Sequence, residues 1–175
     1  QYQNLLEQVG PNFFSGNFEK RLNKVEKRLA WSAPGIEAPD FKGMRPDSTW
    51  LTLSDFRGKV VVVDVWATWC EPCRRMMPYF QQLEKEMKGK NVVFISVCVG
   101  VYVEWVRWLD IIKKDHLEGN LCFIDSWTGE FAQNYRVTGV PRYMIFDKFG
   151  CIVSVAAPKP TVPELKELIE KTLEK

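Results

Sequence analysis

Cys70 and Cys73 stand three residues apart, the spacing that reversible dithiol chemistry needs when both sulfurs are held at one end of a structural element. The surrounding residues predict such an element. Val60 to Pro78 reads V-V-V-V-D-V-W-A-T-W-C-E-P-C-R-R-M-M-P, a β-branched run that predicts a buried strand, then the two cysteines, then helical spacing. A thiolate at a helix N-terminus meets the positive end of the dipole and unpaired backbone N–H groups, so the pKa of Cys70 is expected below that of a free cysteine. Cys70 is therefore the expected attacking sulfur. Cys73, one turn further in and less exposed, is expected to break a mixed disulfide on Cys70 and release the reduced partner. Pro72 suits the first turn, where a missing N–H costs nothing.

Three neighbours bear on that chemistry. Asp64 interrupts the valine strand, and a carboxylate there requires either a raised pKa or a cationic partner. Its functional reading is a proton acceptor for Cys73; the structural alternative is an ion pair with a lysine. The charge of Glu71 opposes a thiolate at Cys70, while Arg74 and Arg75 offset it. Trp69, just before Cys70, is expected at the surface of the site. Zinc is a poor fit, because a structural site wants four ligands, usually in two close pairs. Cys98, Cys122 and Cys151 are isolated in strand-like runs and read as buried packing thiols, a Cys98–Cys122 bridge being the weaker alternative. His116 stands alone in a polar turn and is expected to face solvent. No metal or organic cofactor is expected; the redox group is the Cys70–Cys73 disulfide itself.

The chain of 175 residues has 46% hydrophobic and 26% charged residues with a formal net charge of +2, values of a packed globule without a polybasic face. Nucleic acid is not an expected partner. No apolar run has spanning length. The chain opens on Gln1 without a charged-then-apolar leader, so an export signal or membrane anchor is expected only in a segment this chain lacks.

The pattern divides into an N-terminal helical extension or linker over residues 1–33 and a second domain over 34–175. In the first, Phe18, Leu22, Val25 and Leu29 recur at helical spacing, with Gly10-Pro11 as a break. In the second, Trp50 to Leu53 predicts a short strand and Ser54-Asp55 a capped turn ending at Gly58. A helix is expected from Cys70 to about Lys88, with Met76, Phe80, Leu83 and Met87 inward and Pro78 kinking it. Val92 to Val97, Leu121 to Ile124, Tyr143 to Phe146 and Ile152 to Val155 predict strands. Val101, Trp105, Trp108, Leu109 and Ile112 predict a helix, and Phe131 and Tyr135 sit one helical turn apart. Thr161 and Glu164 predict a capping box for a last helix with Pro163 in its first turn and Leu165, Leu168, Ile169 and Leu173 buried. Strands alternating with helices imply a three-layer α/β domain.

Taken together, D-V-W-A-T-W-C-E-P-C, the interior Pro78 and the downstream Val140-Pro141 resemble the thioredoxin superfamily. The A-P-D-F opening and the extra strand and helix between Lys90 and Ile124 are similar to its bacterial envelope branch, the TlpA/ResA-like thiol-disulfide oxidoreductases. The resemblance covers residues 34 to 175. It implies an α/β thioredoxin-like fold with a central mixed sheet, and a cis-proline at Pro141 facing the disulfide, with the Val140 backbone open to an extended substrate segment. It also implies a periplasmic or cell-envelope location, a disulfide-bearing protein substrate and an upstream thiol electron donor. Departures are visible too. Cys98-Val99-Gly100-Val101 stands where relatives often carry an acid near the site, Arg142 where many thioredoxins have threonine, and Asp64 where several envelope relatives have an amide.

Two other readings compete with disulfide exchange. A thiol peroxidase is suggested by A-P-D-F, but peroxiredoxins place a threonine three residues before the peroxidatic cysteine; that position is Ala67, with Thr68 one out of register. A non-catalytic interaction module on the same fold is the other, and intact Cys70, Cys73 and Pro141 speak against it.

Overall fold

The computed structural model describes residues 32–175, and the N-terminal amphipathic helix predicted above lies outside them. The fold is built on β3 (Val60–Trp66), whose seven residues are all buried. Such a strand needs cover on both faces, and its alternating side chains receive it. Val61, Val63 and Val65 pack into one core cluster with Phe131 and Ala132 of the short helix α3 (Glu130–Asn134) and with Tyr135 at its C-terminal cap. Val60 and Val62 face the other way, onto Phe80 and Leu83 of α1 (Glu71–Glu86) and Leu165 and Ile169 of α4 (Pro163–Leu173). Trp66, on that same face, packs with Trp108 and Ile111 of α2 (Trp105–Lys114). The result is the expected α/β architecture, helices on both sides of a mixed sheet.

Seven strands form that sheet in the order β2-β1-β5-β4-β3-β6-β7. The strands flanking β3 are β4 (Val92–Gly100), parallel, and β6 (Arg142–Phe146), antiparallel. Beyond them lie β5 (Asn120–Asp125), parallel to β4, and β7 (Ile152–Ala157), antiparallel to β6. Strands β1 (Lys42–Met44) and β2 (Trp50–Thr52) close the β5 edge as a hairpin. Strand β1 lies just past the A-P-D-F stretch and was not among the strands predicted from the sequence. Asp40 secures it, its carboxylate accepting from the Ser54 N–H at 3.0 Å and the Ser54 hydroxyl at 2.6 Å.

Several local expectations are corrected. The residue of α1 that turns fully inward is Met77, while Met76 is only partly buried. The helix starts one residue later than expected, with Cys70 as its cap and Pro78 inside it. Val101 is exposed and precedes a single 3₁₀ turn, Tyr102–Glu104, so α2 begins at Trp105. The Thr161–Glu164 box does not form: Val162 holds the cap position of α4 without a side-chain hydrogen bond, and Pro163 at the first position provides the start. Cys98 and Cys122 are both free and buried, but they belong to different core clusters on opposite faces of the sheet. A bridge between them is therefore excluded by the strand alternation itself.

Candidate active site

The parallel pairing of β3 with β4 ends at Trp66 and Cys98, and the chain leaves β3 through Ala67-Thr68-Trp69 before reaching α1. The turn is closed by the Cys70 N–H donating to the Ala67 carbonyl at 3.0 Å. This places Cys70 at the cap of α1, where its sulfur accepts from the Cys73 N–H at 3.2 Å. The two sulfurs are bonded at 2.02 Å with their Cα atoms 5.3 Å apart. In this oxidised form both cysteines are buried, Cys70 at 3% exposure and Cys73 at 1%. Both belong to the cluster of Trp66, Met77, Trp108 and Phe123, against which Val140 also packs.

Around the pair the other candidate residues are placed as follows. Pro72 stands in the first turn of α1. Trp69 is 57% exposed and lies against the Trp127 ring, with centroids 5.8 Å apart. The Val140-Pro141 peptide bond is cis. Arg142, next to it, is turned along the sheet, its guanidinium donating to the Val155 carbonyl of β7 at 3.3 Å. That contact gives Arg142 a structural job that sequence reasoning did not foresee. The remaining charges beside the pair are mutually engaged: Glu71 with Arg75 at 2.7 Å, and Arg74 with Asp115 at 2.6 Å. His116 is exposed in the turn after α2.

The Glu71–Arg75 pair bears on how far Glu71 opposes the thiolate. Both side chains are well exposed, and an exposed carboxylate beside its own counter-charge projects little net field. Glu71→Gln is expected to move the Cys70 pKa by less than about 0.3. Thiolate absorbance near 240 nm, followed against pH in both proteins, checks this; a fall approaching about one unit would restore Glu71 as a determinant.

Asp64 lies on the α1 face of β3, buried and level with Ser96 of β4 and Tyr143 of β6. Among the described residues its Oδ1 has no hydrogen-bond partner, nor does the Tyr143 hydroxyl or the Trp66 indole nitrogen. No cation pairs with it among the described residues, so the lysine partner of the structural alternative is not found there. Desolvation pushes the carboxyl up from its ordinary 3.8 to about 8. It borders a cavity of about 20 Å³, room for about one water, between β3 and the helix that carries Cys73, with Met77, Phe80 and Glu84 of that helix among the lining residues. A buried, unpaired carboxyl that titrates in the neutral range can accept a proton and later return it. Cys98 and Cys122 are unsuited to exchange by contrast, since burial drives the Cys98 thiol far up and that of Cys122 to about 12.

One contact was missed by the sequence. The Thr68 hydroxyl, buried, donates to Glu104 Oε1 at 2.6 Å. Thr68, whose register argued against a peroxidase, is thus bonded to the turn after β4. Glu104 stands three residues after Val101, a capping spacing, and this was the available signal.

Comparison with known proteins agrees with this geometry. The Redoxin family model matches residues 33–169. The thiol-disulfide oxidoreductase ResA of Geobacillus kaustophilus is 34% identical over 171 residues, covering 97% of this chain and 88% of the relative. ResA of Oceanobacillus iheyensis is 43% identical over 145 residues, covering 79% and 66%. Among solved structures, the thioredoxin domain of a thiol-disulfide oxidoreductase from Bacteroides vulgatus superposes with a TM-score of 0.70 at 26% identity, covering 81% of this chain and 98% of that one. A thiol:disulfide interchange protein from a Bacteroides species gives a TM-score of 0.67 at 25% identity, covering 83% and 93%.

Proposed function

The chain belongs to the redoxin family and is a thiol-disulfide oxidoreductase of the thioredoxin superfamily, and from that premise we propose that it works as a reductant of protein disulfides outside the cytoplasm. The observation that carries the direction is Asp64, a buried carboxyl on the α1 face of β3 with no cation paired to it among the described residues, while the arginines beside the dithiol are already engaged. A thiolate in such a setting is stabilised by the helix terminus but not by a free positive charge. A less stabilised thiolate makes the pair less oxidising.

The proposed cycle is balanced as follows. The Cys70 thiolate attacks one sulfur of a partner disulfide, forming a Cys70–partner bond and expelling the other partner sulfur as a thiolate, which takes up a proton. Asp64 accepts the proton of Cys73. The Cys73 thiolate then attacks Cys70 Sγ, forms the Cys70–Cys73 disulfide and releases the second partner sulfur. Two electrons pass to the partner, and an upstream dithiol restores the pair. Val140, Pro141 and Trp69 form the wall against which the partner segment lies. The extracytoplasmic setting is supported by the likeness to the envelope branch.

Equilibration of the Cys70/Cys73 couple with dithiothreitol or glutathione buffers tests the direction. A potential near that of thioredoxin, roughly −270 mV, is expected, and one near roughly −120 mV would make the protein an oxidant and overturn the proposal.

A further inference from the structure

Gly100, the last residue of β4, is a glycine for reasons of space. It has no positive φ, so its backbone does not demand glycine. A Cβ built there would stand 2.7 Å from Glu104 Oε2 and 3.1 Å from the Phe123 ring. The room left by the absent side chain is occupied by the Glu104 carboxylate, which reaches back over its own turn. One oxygen accepts from the Val101 N–H at 3.0 Å and the other from the Thr68 hydroxyl at 2.6 Å.

We propose that Glu104 is a positioning residue for disulfide exchange, its carboxylate clamping Thr68 so that the Ala67-Thr68-Trp69 turn presents Cys70 in attacking geometry. Thr68 is the middle residue of a three-residue link between β3 and the cap of α1, so its position fixes where both Trp69 and Cys70 can go. A hydroxyl donating to a buried-side carboxylate is a charge-assisted bond, shorter and stronger than a neutral one. The Glu104 acceptor sits on the β4–α2 connection, whereas Thr68 sits on the β3–α1 connection that leads into Cys70. The clamp therefore joins the two loops at the end of the parallel strands where the chemistry takes place.

The test uses the protein with Thr68→Val, Thr68→Ser, Glu104→Ala and the Thr68→Val/Glu104→Ala double variant. Each is first shown to be folded by its thermal transition. The second-order rate of insulin disulfide reduction by the pre-reduced proteins is expected to fall about 10-fold in Thr68→Val and in Glu104→Ala, from loss of one hydrogen bond to a charged group. The double variant is expected to be no slower than Glu104→Ala, because both changes remove one contact. Thr68→Ser, which keeps the hydroxyl, is expected within about two-fold of the parent, a rescue that a merely space-filling role would not give. Rates unchanged in folded single variants, or losses that multiply in the double variant, overturn the clamp. The inference rests on Cys70 and Cys73 being the exchanging pair; a parent protein that reduces no disulfide overturns that reading instead, and the two failures are distinct.

Discussion

Cys73→Ser is expected to halt the protein at the mixed disulfide: it still attacks a protein disulfide through Cys70, then stays covalently bound. The reason lies in the fold. Cys70 caps α1 and Cys73 lies one turn inside it, with 5.3 Å between their Cα atoms, so resolution is an intramolecular attack by a sulfur that needs no search. Such preorganisation is worth many orders of magnitude over a dilute external thiol, and multiple-turnover insulin reduction is expected to drop by about 10³-fold or more. Non-reducing electrophoresis and mass spectrometry should find one equivalent of partner attached at Cys70 and released by dithiothreitol. Cys70→Ser is expected to lose the same turnover without trapping anything. The assignment fails if Cys73→Ser turns over at the parent rate, or if the adduct maps to Cys98, Cys122 or Cys151.

How much of this could be seen in the residues divides along physical lines. The strand Val60–Trp66 was legible to the residue, because a run of β-branched side chains covered on both faces leaves no alternative. The start of α1 was legible to within one residue from the break in that run, and Pro163 marked the start of α4. What escaped were features set by partners distant in sequence. The strand Lys42–Met44 has three residues and little pattern of its own; it exists because β5 offers an edge and because Asp40 is held by Ser54. The capping box at Thr161 and Glu164 matched a spacing but lost to the proline that follows Val162. Met76 and Met77 are adjacent, and periodicity alone could not say which of the two faces the core.

The site shows the same division. Sequence alone argued that Asp64 must find a lysine or change its pKa, and among the described residues its burial without a partner favours the second. The stretch Cys98-Val99-Gly100-Val101 carries no acid, yet the carboxylate of Glu104 lies in the space that Gly100 leaves. A glycine at one position and a glutamate four residues away are separate letters in a sequence. They become one feature only when the 3₁₀ turn at Tyr102–Glu104 folds the second back over the first.

Asp64→Asn is expected to make the protein slower and, above neutral pH, more stable. Both effects follow from the same buried carboxyl. Folding raises its pKa from 3.8 to about 8, so the folded protein keeps a proton that the unfolded chain gives up. The stability that belongs to this proton is fully present below about pH 4 and is lost as pH rises through about 8. The full gap corresponds to an upper bound of about 6 kcal/mol, which relaxation around a cavity of water size reduces. Asparagine does not titrate. Urea unfolding should therefore show little pH-dependent gain for the variant at pH 4 and a gain of about 1–3 kcal/mol over that level at pH 9. In kinetics the sign is reversed, because the ionised carboxylate is the form that accepts the Cys73 proton. Release of a trapped partner from Cys70, followed in single turnover, is expected to accelerate in the parent as pH rises through about 8. In Asp64→Asn that inflection should vanish and the rate at pH 7 should fall by about 10- to 100-fold. A variant that keeps both the inflection and the rate would remove Asp64 from the mechanism, even if it gained the stability, and would leave Cys73 to lose its proton directly to solvent.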